Sequence, residues 1–285
     1  MERSALRKCC SIVSLFTAAS IAGCGGGGGG GGGSLAAPIG AVYGRWIITE
    51  VSASASDPSC VGPLATYNAF ITQNGNALTA LIDGTPLFTG AISGGAVAVS
   101  GLNPDPPGNT AANVSGTIGA TCNSLTAGVS SFSYSEPGFS CTGTVNFTGT
   151  RASGSGCAGT QVTTAVTEVG TTHNTTGTAQ VFTMSSTVSG SVPAIANTTA
   201  DRDANSDYYS FTLFAATPAI FMLTGPADQD IDLIVRDSVG TVIASSVLLQ
   251  SREAIAFTSL AAGTYFVQVR PFTVNLATAY TLVVQ

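Results

Sequence analysis

Apolar and polar residues alternate in short runs along most of the chain, and nowhere does a capped helical period of useful length appear. In the first half, Leu78, Ala80 and Ile82 recur every second residue, and Val145 and Phe147 alternate with Thr144, Asn146 and Thr148. A period of two puts successive side chains on opposite faces of a β-strand. The candidate strands are Tyr43 to Ser52, Thr66 to Thr72, Ala77 to Asp83, Pro86 to Ile92, Ala96 to Ser100, Ala112 to Gly119, Leu125 to Tyr134 and Thr142 to Thr150. Turn-forming pairs fall between them: Asn74-Gly75, Asp83-Gly84 and Gly94-Gly95. Eight short strands with tight links predict an antiparallel up-and-down barrel, which leaves no exposed edge.

The last third repeats the pattern with larger side chains. Tyr209, Phe211 and Leu213 share one face of a strand, with Ser210 and Thr212 on the other. Ile231, Leu233 and Val235 alternate with Asp232 and Arg236; Tyr265, Val267 and Val269 alternate with Thr264, Gln268 and Arg270; Tyr280, Leu282 and Val284 close the series. Strands with one apolar face need a second sheet to cover it, which predicts a jelly-roll-like β-sandwich. Asp237-Ser238-Val239-Gly240 reads as the turn of a hairpin joining Ile231 to Arg236 with Thr241 to Ser245. The expected fold class is all-β, a barrel over 38–157 and a sandwich over 179–285, with 158–178 as a Thr- and Gly-rich linker.

Composition narrows the partners. Only 8% of the 285 residues are charged, 44% are hydrophobic, and the net charge is −6. This is too apolar for a disordered chain. The sole lysine is Lys8, so no basic stripe exists to neutralise phosphates and nucleic acid is not an expected partner. The N-terminus differs from the rest. Arg3, Arg7 and Lys8 precede an apolar run from about Ser11 to Ala22, too short to span a bilayer, and then Ile21-Ala22-Gly23-Cys24 and nine glycines, Gly25 to Gly33. Residues 1–23 resemble a bacterial lipoprotein signal peptide. The resemblance implies cleavage before Cys24 and lipid on its thiol and amine, several chains together giving firm anchorage. The following residue, Gly25 rather than Asp, points by the same resemblance to the outer membrane. Residues 24–37 then form a lipidated tether, since polyglycine loses too much backbone entropy to hold structure.

Cysteine usage fits export. Beyond Cys9, Cys10 and Cys24 there remain Cys60, Cys122, Cys141 and Cys157, an even number that implies two disulfides. No CxxC pair favours a metal site. The motif Gly44-Arg45-Trp46 on the first strand, with Arg151 just after the last, resembles the lipocalin-like (calycin) barrels. That likeness implies a tryptophan plugging one barrel end, an arginine lying across its ring, and room for a small apolar ligand; the family's helix after the last strand is not apparent. In a closed eight-strand barrel the first and last strands are antiparallel neighbours. Cys60 after the first strand and Cys141 at the start of the last then share a rim, and Cys122 and Cys157 share the opposite one, so the expected pairs are Cys60–Cys141 and Cys122–Cys157. His173, the only histidine, falls in the linker and reads as solvated. Without it no Ser-His-Asp or histidine-metal mechanism is available, and neither GxSxG nor HExxH is present.

The C-terminal segment resembles the bacterial pre-peptidase C-terminal domain through four motifs in order: Asp207-Tyr208-Tyr209-Ser210-Phe211, Asp230-Ile231-Asp232-Leu233, Gly263 to Val269, and Ala279-Tyr280-Thr281-Leu282. It departs from the pattern at Ala215-Ala216-Thr217-Pro218, where a glycine-containing turn is usual. Two acidic clusters precede strands: Asp201, Asp203, Asn205 and Asp207, and Asp228, Asp230 and Asp232. Two readings of them stand. Calcium takes six to eight oxygens that such loops supply, as some relatives of this domain do; alternatively the Asp side chains cap turns and keep a sheet edge soluble. No other cofactor is expected. The functional expectation is a non-catalytic envelope lipoprotein whose sandwich binds an envelope protein or polysaccharide. A carrier of a small apolar ligand is the alternative, and a hydrolase fragment comes third, because no peptidase accompanies the sandwich.

Overall fold

A computed structural model describes residues 42–83, 87–105, 108–153, 164–170, 173–196, 201–226, 228–249 and 251–285. The lipobox, the tether and Cys157 lie outside them. Among the described residues the only helical pieces are three-residue 3-10 turns, such as Pro58–Cys60. Eight strands form the first domain: β1 (Gly44–Ala55), β2 (Thr66–Asn74), β3 (Ala77–Ile82), β4 (Leu87–Ser93), β5 (Ala96–Asp105), β6 (Gly108–Ile118), β7 (Ser124–Glu136) and β8 (Phe139–Arg151). Each pairs antiparallel with the next, and β1 pairs with β8 to close the barrel. Several strands run longer than the alternation suggested, β1 to Ala55 and β5 to Asp105 among them. Gly143 sits where β8 is closely approached: a Cβ there would lie 2.2 Å from Ser54 O and 2.5 Å from Phe132 Cζ.

The barrel interior holds Trp46, Ala69, Leu78, Ile92, Val97, Leu125 and Phe147 in one apolar cluster. Phe132, Val145 and the Cys60–Cys141 disulfide form another around one rim, with the two Cα atoms 6.6 Å apart. Asp57 fixes the turn that presents Cys60, its Oδ1 accepting from Ser59 N at 2.8 Å and Ser59 Oγ at 2.7 Å. Cys122 is also disulfide-bonded; its expected partner, Cys157, is outside the described residues.

The second domain is a sandwich of two five-stranded sheets. Its strands are β9 (Thr164–Thr167), β10 (Gln180–Val181), β11 (Ser186–Val192), β12 (Asp207–Leu213), β13 (Thr217–Thr224), β14 (Ile231–Arg236), β15 (Val242–Ser246), β16 (Arg252–Leu260), β17 (Gly263–Pro271) and β18 (Thr278–Val284). One sheet runs β10-β12-β17-β14-β15 and the other β16-β13-β18-β11-β9. Their inner faces supply Tyr209, Phe211, Phe221, Leu233, Val267, Leu282 and their neighbours to one continuous core. The hairpin β14–β15 forms around Asp237, whose Oδ1 accepts from Val239 N and Thr241 N. The linker reading is corrected in one respect. Residues 164–167 pair in parallel with β11 as an edge strand of the sandwich, so the segment read as a connection contributes to the domain that follows it.

The two domains meet through the outer face of β13. Ile220 packs on Tyr43, and Thr72 Oγ1 donates to Met222 Sδ at 3.8 Å. Gln73 N donates to Gln285 Oε1 at 2.9 Å, while Gln285 Nε2 donates back to Gln73 O. Gln73 Oε1 in turn accepts from Val42 N at 2.7 Å, tying the start of the barrel to this contact. Ile220 and Met222 therefore bury one face of β13 against the barrel as Phe221 and Leu223 bury the other in the sandwich core.

Candidate functional site

Trp46 on β1 is 1% exposed and donates Nε1–H to Val42 O at 2.7 Å. Arg151 Cζ lies 5.1 Å from the centroid of the indole. The register of β1 with β8 sets Trp46 opposite Arg151, so the contact follows from strand pairing. A guanidinium over indole contributes roughly 0.5–2 kcal/mol. Gly44 begins β1 with φ 123°, in a region that favours glycine.

The barrel holds a cavity of about 80 Å³. Its walls are apolar, with Ile71, Leu78, Phe88, Val99, Val114 and Phe147 among the lining residues. Three polar residues enter the lining: Glu50, Tyr67 and Ser130. Tyr67 Oη donates to Glu50 Oε1 at 3.1 Å, and Ala65 N donates to Glu50 Oε2 at 3.0 Å. The Ser130 hydroxyl is buried without a hydrogen-bond partner among the described residues. A buried hydroxyl left unpaired costs about 1–3 kcal/mol, which a ligand or water would offset.

Several carboxylates of the two acidic clusters of the sandwich have partners within the chain. Asp203 Oδ1 lies 3.7 Å from Arg270 Nη1, and Asp232 Oδ2 accepts from Arg270 Nε at 3.0 Å and Nη2 at 2.8 Å. Arg270 thus supplies the positive charge between these carboxylates. Asp201 Oδ2 accepts from Ala196 N, and Asn205 Nδ2 donates to Asp201 O at 2.8 Å. Asp228 is exposed. Burial pushes Asp230 up to about 6, with the Asp232 charge adding to the effect and Arg202 opposing it. Asp207 points elsewhere, into the sandwich, where its Oδ2 accepts from Tyr280 Oη at 2.7 Å. Burial pushes its carboxyl up to about 7; the Tyr280 hydrogen bond opposes this and the Glu168 charge adds to it.

Alternation also misplaces two polar residues of the central strands. Gln268 and Asp232, expected on an open face, are 0% and 3% exposed. The loop carrying Asp203 and Ser206 covers that face. Gln268 Oε1 accepts from Arg236 Nη2 at 2.7 Å and its Nε2 donates to Ser206 Oγ at 2.9 Å.

His173 is not solvated. It is 3% exposed, its carbonyl accepts from Tyr208 N at 2.8 Å, and its ring centroid lies 5.6 Å from that of Tyr209. Backbone pairing beside β12 holds the segment against the sandwich, which a composition-based linker reading could not show. Glu168, the carboxylate just after β9, lies beside it and was not singled out by the sequence.

Residues 205–271 match the family model described as the bacterial pre-peptidase C-terminal domain. No curated protein matches the chain. Among solved structures, the pre-peptidase C-terminal domain of a collagenase from Bacillus anthracis is 17% identical, covering 38% of this chain and 94% of that one, with a TM-score of 0.31. An insecticidal delta-endotoxin, Cry8Ea1 from Bacillus thuringiensis, is 9% identical over 85% of this chain and 52% of that one, with a TM-score of 0.22. Neither superposition is close enough to bear on function. The sequence match falls inside the two-sheet fold: residues 205–271 of the C-terminal sandwich match the pre-peptidase C-terminal domain, and that sandwich is joined here to an eight-stranded barrel.

Proposed function

We propose that this chain is a non-catalytic envelope protein, anchored in the membrane through lipid on Cys24, whose sandwich serves as a binding module for an envelope protein or polysaccharide. The observation that carries the reading is the match of 205–271 to the pre-peptidase C-terminal domain. The order of Arg3, Arg7 and Lys8, the apolar run, Ile21-Ala22-Gly23-Cys24 and polyglycine supports the anchor, and Gly25 favours the outer membrane. Cys24→Ser should move the protein from the membrane to the soluble fraction. Unchanged fractionation would sink the anchored reading.

The cavity favours a second role, carriage of a small apolar ligand. At about 80 Å³ it is roughly half the volume of a ~150 Å³ cavity that houses benzene, so it suits a short alkyl segment. Ser130 would then supply the polar contact for its head. Trp46 lies in the same cluster as the lining residues Leu125 and Phe147. A short brominated alkanol should quench its emission saturably, and Ala80→Phe, which fills the cavity, should abolish the effect. Linear quenching, equal in both proteins, would rule out carriage.

A further inference from the structure

Three segments bring Glu168, His173 and Asp207 together. One donor atom from each lies within 4.8 Å of the others. Glu168 follows β9, its N–H donating to Ser189 O at 2.9 Å; Asp207 opens β12; His173 is held to β12 through its own carbonyl. Each carboxylate has one oxygen already fixed. Ser191 N donates to Glu168 Oε2 at 2.6 Å, and Tyr280 Oη donates to Asp207 Oδ2. The other oxygen of each faces the imidazole: Glu168 Oε1 is 3.1 Å from Nε2 and Asp207 Oδ1 is 3.6 Å from Nδ1. Yet both ring nitrogens are buried, and among the described residues neither has a hydrogen-bond partner. Gly190 leaves the space: a Cβ there would lie 2.8 Å from Glu168 Oε2 and 2.5 Å from Tyr280 Oη.

Charge makes the arrangement informative. Among the described residues no arginine or lysine lies within salt-bridge distance of Glu168 or Asp207, so His173 is the only basic group there. Two carboxylates and an imidazole with little access to water are balanced by a cation held among them, a proton or a metal ion. The donors are one nitrogen and two oxygens. Calcium prefers oxygen alone, whereas imidazole with carboxylate suits zinc and its first-row neighbours. Zinc–ligand distances of about 2.0–2.2 Å set tetrahedral ligand atoms roughly 3.4 Å apart; the three donor atoms here lie within 4.8 Å of one another, so binding draws both carboxylates toward one ring nitrogen. The fixed second oxygens are the outer hydrogen bonds that orient metal ligands.

We propose that Glu168, His173 and Asp207 form a binding site for a zinc-type divalent cation, which ties Glu168, just after β9, and His173 to β12 in the first sheet of the sandwich. The site is independent of the lipid anchor and of the barrel cavity.

The single histidine makes the test direct, because the imidazole ¹⁵N spectrum of the full chain reports one ring. One equivalent of Zn²⁺ should shift a ring nitrogen to a metal-bound position and raise the thermal midpoint, with one site per chain by calorimetry. Millimolar Ca²⁺ should not compete. Glu168→Gln and His173→Gln should each weaken Zn²⁺ binding at least tenfold. Should either variant fail to fold, the wild-type spectrum still decides. An imidazole doubly protonated at neutral pH and unmoved by one equivalent of Zn²⁺ would overturn the proposal, leaving an imidazolium between two carboxylates.

Discussion

Removing the Cys60–Cys141 disulfide tests the barrel closure energetically. The bond joins residues 81 apart in sequence, across the junction of the first and last strands. A crosslink of that span removes loop-closure entropy from the unfolded chain worth about 4.5 kcal/mol at 25 °C in the chain-entropy model. That figure is an upper bound, because Cys122 lies inside the same loop and carries its own disulfide. The Cys60→Ala/Cys141→Ala protein should therefore lose about 2–4 kcal/mol. Trp46, the only tryptophan, sits inside the barrel and reports that domain alone, so urea unfolding followed by its emission isolates the effect. The urea midpoint should fall with little change in the native emission maximum. A loss below about 1 kcal/mol would mean that the bond does not constrain the unfolded barrel, and the reasoning from loop length would fail.

Arg270→Ala should destabilise the sandwich by about 3–5 kcal/mol, because Asp232 would stay buried without its partner; adding Asp232→Ala should recover part of the loss in thermal unfolding followed by circular dichroism. Burial pushes Glu253 up to about 7 from 4.5, against hydrogen bonds from Ser246 and Leu248 N. Its neutral form is thus favoured in the fold, so its contribution is full below about pH 4.5 and is lost as pH rises through 7, on the order of 3 kcal/mol. Glu253→Gln should flatten that slope and stabilise the sandwich at pH 8; an unchanged slope would point to another group. Gln285→Ala should leave the Gln73 backbone N–H and C=O unpaired at the domain contact, costing about 1–3 kcal/mol for each, and should separate the barrel and sandwich transitions.

Much of the barrel was legible because each strand exposes one face to the interior. Leu78, Ala80 and Ile82 line the cavity as their alternation implied, and strand count alone put the ends of β1 and β8 together. The same logic served Tyr209, Phe211, Leu233 and Val267. It failed where a second surface covers the outer face. The run Ala219-Ile220-Phe221-Met222-Leu223 is apolar on both sides, a pattern that marks a strand buried on both faces, and here the barrel covers the second one. Gln268 and Asp232 escaped for the opposite reason: their polarity suggested water, but arginines and the 201–206 loop satisfy them in the interior. His173 was obscured by composition, since Thr- and Gly-rich sequence looks like a connection even where its backbone pairs with a sheet edge. A lone histidine with Glu168 five residues before it was the available signal, and it gains meaning only once Asp207 is brought alongside.

The central claim is that the barrel and sandwich are displayed from a lipid anchor. Mass spectrometry of the N-terminal peptide, from protein extracted from membranes, tests it most directly. The account predicts that residues 1–23 are absent and that Cys24 carries acyl chains on its thiol and amine. A chain that keeps residues 1–23, or one that begins at an unmodified Cys24, would contradict it.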